Sequence, residues 1–90
     1  VQEWRAPNAD NSRPYGMAVD AQNRIWFVET GPEINNFVGF DPVTETFFSQ
    51  TPVPSGGGTI RHMQFFEPNG EIWFGADTNT IGRAVVMPRE

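Results

Sequence analysis

Apolar and polar positions alternate in short bursts along this chain, and the bursts are separated by turn residues. Residues 17–19 and 63–66 are brief apolar runs, and each leads through a polar turn into Ile-Trp-Phe, at Ile25-Trp26-Phe27 and again at Ile72-Trp73-Phe74. The turns carry Ala-Gln-Asn in the first case and Pro-Asn-Gly in the second, both suited to hairpins. Further strands are predicted at 37–40, 47–51 and 81–86, with the "DPVTET" stretch as another hairpin turn. No segment holds a helical period, and nine glycines with eight prolines also disfavour helices. The pattern predicts an all-β chain.

The bursts repeat. "PYGMAVDAQNRIWFVE" at 14–29 aligns without a gap on "RHMQFFEPNGEIWFGA" at 61–76, 47 positions later. "NNFVGF" at 35–40 then matches "TNTIGR" at 78–83 once four residues are dropped from a Gly-, Pro- and Asn-rich loop. Four strands per repeat, at a period in the forties, is the pattern of a β-propeller blade. A small β-sandwich would not explain why Ile-Trp-Phe recurs in register. The expected layout is one two-blade unit over 1–90: an outer strand at 1–7, a four-stranded first blade at 14–54, and a second blade at 60–88 that lacks its fourth strand. The strand at 1–7 is then spare, and it suits the incomplete blade of a neighbouring copy. Apolar faces would also be bare at both ends of an isolated pair. The expectation is therefore a homo-oligomer, a trimer of six blades or a tetramer of eight, with a piece of a longer propeller as the alternative.

Composition narrows the functional classes. The net charge is −5, every one of the six basic residues is arginine, and the charges are dispersed. No basic stripe exists for nucleic acid or for an anionic membrane surface. No apolar run reaches the length of a membrane span, and no leader-like start is read, so a soluble chain is expected. Cysteine is absent, which excludes disulfide and thiolate chemistry. "PSGGGT" at 54–59 has no lysine and no following helix, so it reads as a connection rather than a phosphate loop.

Four side chains stand out as candidates. His62, the single histidine, begins an innermost strand and is read either as a structural residue or as a ligand or base at a channel mouth. Arg61 beside it suits an anion or a substrate carboxylate, or else a salt bridge. Glu29 ends the strand "IWFVE" and is read as lining the channel or as a surface residue; Tyr15 is placed to donate to it or to cap the channel. Trp26 and Trp73 are both expected to pack between blades.

The stretches "RPYGMAVDAQNRIWFVE" and "IRHMQFFEPNGEIWFGADTNTIGRAVV" resemble the virginiamycin B lyase (streptogramin lyase) family. Its recurring pattern is approximately P-x-G-I-A-x-D-x-x-G-x-I-W-F-T-E followed by I-G-R, and the resemblance covers nearly the whole chain. It implies a seven-bladed relative of which this chain is similar to the last part, and a lyase that opens streptogramin B lactones by elimination. It also implies a site of histidines and glutamates with Mg2+, and it permits a periplasmic or secreted setting. By position, the family histidine falls on His62 and the family glutamate on Glu29, making these the catalytic and metal candidates, with Arg61 and Tyr15 as ligand-binding candidates. The chain departs from the pattern at the partner positions: Tyr15 stands opposite Glu29, and Ala76 opposite His62. Two functional expectations follow, a lyase-like ligand or metal site and a non-catalytic binding or scaffold module.

Overall fold

In the computed structural model, residues 2–31, 34–53, 58, 60, 62–76 and 80–86 are described. They form seven strands: β1 (Pro14–Val19), β2 (Ile25–Glu29), β3 (Asn36–Asp41), β4 (Thr46–Pro52), β5 (Met63–Phe66), β6 (Glu71–Ala76) and β7 (Thr80–Val85). The only helical pieces among the described residues are two 3-10 turns, Ala9–Asn11 and Glu67–Asn69. None is long and apolar enough to cross a membrane. β1 to β4 form a four-stranded antiparallel meander, here sheet I, and β5 to β7 a three-stranded one, sheet II; neither closes.

Local chemistry sets each reversal. Asp20 closes the β1–β2 turn: its Oδ1 accepts from the backbone N–H of Gln22 (2.8 Å) and of Arg24 (3.0 Å), while Asn23 takes a positive φ of 61°. The β5–β6 turn instead ends on Gly70 in the left-handed region, φ 62°. Asp41 repeats the Asp20 device at the β3–β4 turn by accepting from Val43 N–H at 2.9 Å.

The two sheets stack front to back. Ala18, Trp26, Val28 and Phe37 of sheet I meet Ile72 of sheet II in one buried cluster, with Met63, Phe65 and Phe74 packed against it. Trp26 and Trp73 occupy equivalent positions in the repeat, yet Trp26 looks into this interface and Trp73 looks away from it. Phe74 faces sheet I, whereas its equivalent Phe27 lies in a second cluster on the far side of sheet I, with Val38 and Phe40. The same face of each sheet therefore points the same way along the stack. The sheets are closest at β1 and β5, where Gly16 N–H donates to the Ile60 carbonyl at 3.0 Å. A Cβ at Gly16 would stand 2.9 Å from that carbonyl oxygen, so only glycine permits the approach.

One expectation is corrected. Trp26 is buried at 6% exposure, but Trp73 is 38% exposed. Among the described residues, no third sheet covers the outer face of sheet II, and Ile81, Val85 and Phe66 are exposed with Trp73. Residues 2–6, read from sequence as an outer strand, belong to neither sheet. They cross the far face of sheet I instead, where the Trp4 ring lies 5.3 Å from that of Phe40 and Ala6 packs on the Phe27 cluster. This covering explains why β2 and β3 are apolar on both faces rather than alternating.

Candidate functional site

The Gly16–Ile60 hydrogen bond sets the beginnings of β1 and β5 side by side. Pairing of Pro14 with Glu29 brings the end of β2 to the same rim. Tyr15, Glu29 and His62 thus share one rim of the stack. Tyr15 and His62 are exposed there, and His62 borders a hollow of about 260 Å3 lined with Met63, Gln64, Trp73 and Ile81. Arg61 lies outside the described residues, as does most of the glycine-rich connection.

Glu29 is different in kind. It is fully buried, at 0% exposure, and its carboxylate is already engaged. Oε1 accepts from the Asn8 and Asn36 side-chain amides, both at 2.6 Å, and Oε2 accepts from the Asn8 backbone N–H at 2.9 Å. Ser12, also buried, sets its hydroxyl beside the same carboxylate and helps to stabilise its charge, in a geometry short of a full hydrogen bond. Burial pushes the Glu29 carboxyl up, and the donors from Asn36 and Asn8 more than reverse this, holding its pKa below the ordinary value. A cation at Glu29 would have to displace these amide donors, all three of which point their hydrogens at the carboxylate. The residue therefore does not fit as a magnesium ligand in this arrangement. Among the described residues, no group of three or more His, Asp or Glu side chains is gathered to hold a metal ion.

A second polar cluster, not singled out from sequence, sits at the other end of the β1–β2 hairpin. Asp20 Oδ2 accepts from Arg24 Nε at 2.8 Å and from Trp26 Nε1 at 2.9 Å. The Arg24 guanidinium lies 5.1 Å from the Phe48 ring centre and 5.8 Å from that of Trp26. Burial raises the Asp20 carboxyl, and the donors from Trp26, Arg24 and Gln22 together bring it below its ordinary value. The D-x-x-x-R-x-W spacing and the aspartate opening a turn were the available signals. The hydrogen bonds to Asp20 from Gln22, Arg24 and Trp26 all run within one hairpin, as in a structural clamp. Arg24 and Trp26 form part of one wall of a cleft of about 620 Å3 between the sheets, with Phe48 beside them and Phe74 and Arg83 opposite. The cleft opens where, among the described residues, β4 has no counterpart beyond β7.

On sheet II, Arg83 pairs with Glu71 at 3.2 Å and stands 6.0 Å from the Trp73 ring centre, so its charge is engaged on the exposed face. No family model matches the chain, and no curated protein or solved structure matches it either.

Proposed function

We propose that this chain is a two-blade propeller unit that assembles front to back with copies of itself, most simply three, and that the ring serves as a binding or scaffold module rather than as a lyase. What supports this reading is the direction of stacking. The Trp26 face of sheet I packs on the Phe74 face of sheet II, which leaves a bare Trp73 face at one end and, at the other, a Phe27 face that residues 2–6 partly cover. These are the same two kinds of surface, so the contact made once inside the chain can be made again between chains. Three copies would supply six blades, within the roughly four to eight blades that propellers use.

The non-catalytic half of the proposal rests on Glu29, whose carboxylate is spent on Asn8 and Asn36. A lyase-like site with Mg2+, as the streptogramin lyase resemblance implies, has in its favour only that His62 and Tyr15 are exposed on one rim. Thermal melting with and without Mg2+ separates the two. The scaffold reading expects no metal-dependent rise in Tm. A rise that His62→Ala abolishes would establish the metal site and overturn it. The assembly half is tested by Trp73→Glu, which sets a charge on the bare face. Light scattering should then report single chains under conditions where the wild type is oligomeric, with an unchanged far-ultraviolet spectrum.

A further inference from the structure

Residues 2–6 and β7 pose matching problems. The first is a run of backbone outside both sheets, laid over the far face of sheet I. The second is a strand whose inner edge pairs with β6 and whose outer edge, among the described residues, meets no strand. They lie on opposite sides of sheet I, so one chain cannot join them.

Their settings correspond. In sheet I, the outer strand β4 ends at Pro52 and leads into the connection to β5; residues 2–6 end before Pro7 and lead into β1. Phe48 of β4 looks across the cleft whose other wall includes Ala84, and Ala84, paired with Ile72 as Phe40 is with Ile25, is the structural equivalent of Phe40. Trp4 packs on Phe40 itself. Residues 2–6 thus stand against sheet I much as β4 stands against sheet II: at the place of an outer strand belonging to a preceding sheet. The clamp at Glu29 fixes them there. Asn8 gives it two hydrogen bonds from just beyond the segment, and the Gly31 N–H to Ser12 carbonyl bond, 3.0 Å, closes the loop behind it.

We infer that residues 2–6 are a strap held in place by the Glu29–Asn8 clamp, and that the outer edge of β7 in a second copy of this chain pairs with that strap as an added strand. The inference rests on the self-assembly proposed above and assigns Glu29 a positioning role in it. Edge pairing supplies backbone hydrogen bonds and register, while the apolar faces supply the buried area.

The chain has no cysteine, so two single-cysteine variants, Arg5→Cys and Val85→Cys, can be mixed, allowed to exchange, and treated with a short bismaleimide. A covalent dimer formed in the mixture and absent from either variant alone is expected. Asn8→Ala, which removes a clamp donor, should weaken assembly about tenfold in protein concentration, the equivalent of one good hydrogen bond, with the circular dichroism of the folded chain retained. Oligomers that persist in the cysteine variants without any cross-copy adduct would overturn the strap while leaving self-assembly standing. A wild type that stays a single chain at every concentration would overturn both.

Discussion

Trp26→Ala probes the front-to-back stack at its centre. The indole is 6% exposed, lies 5.3 Å from the Phe37 ring and 5.1 Å from the Phe48 ring, and donates to Asp20 at 2.9 Å. Its removal empties a space between two sheets that are anchored separately by their own turns, so collapse is restricted. Large aromatic-to-alanine changes of this kind cost about 3–5 kcal/mol. A domain of this length has a total stability on the order of 5–13 kcal/mol. The variant should therefore lose a large fraction of its stability. Urea unfolding followed by circular dichroism, repeated across protein concentrations, measures it and also exposes any linkage to assembly. Trp73→Ala is the internal control: in the dilute limit its cost should stay below about 1.5 kcal/mol, because a part-exposed side chain loses only a fraction of its transfer energy. Its cost should then grow with concentration as the wild type gains from assembly. A loss below about 1 kcal/mol at Trp26, or equal losses at both tryptophans when dilute, would refute the stacking of the two sheets.

Three further outcomes are expected. Glu29 and Asp20 have carboxyls held below their ordinary values of 4.5 and 3.8; the stability they contribute is present above those values and is lost as pH falls through the lower folded ones, so the urea midpoint should drop on acidification below about pH 4.5, and Glu29→Gln should flatten part of that drop. Gly39→Ala would place a Cβ 2.6 Å from the Phe48 ring and 2.8 Å from that of Trp26, and should destabilise by about 1–3 kcal/mol through overpacking, read by the same unfolding assay. Asp20→Asn keeps the turn acceptor but removes the charge facing Arg24 across 2.8 Å; a loss of about 3 kcal/mol is expected from removing one partner of a buried ion pair, and a loss near zero would show that the clamp is solvated.

The strands were legible because each announces itself locally, through an apolar burst and a turn whose residues have a mechanism, as at Asp20 and Gly70. The repeated Ile-Trp-Phe pointed to two sheets, and the structure has two, of four and three strands. The repeat did not reveal that equivalent residues would differ in burial, since Trp26 and Trp73 share a motif and differ only in whether a sheet stands in front of them. The place of Glu29 was legible as the end of β2, but its partners were not. Asn8 and Asn36 come from the loop before β1 and from a neighbouring strand, and no spacing rule links a strand-end glutamate to an asparagine 21 residues earlier. Residues 2–6 were read as an outer strand, yet they join neither sheet, and the face they cross is decided by Trp4 meeting Phe40, a tertiary event.

Native mass spectrometry of the wild-type chain tests self-assembly most directly. One dominant species at three times the 10.1 kDa of a single chain, dissociating on dilution without intermediates larger than the ring, is expected from a closed front-to-back stack of two-sheet units. A folded species at the mass of one chain at every concentration, or an open series of masses with no preferred size, would contradict it.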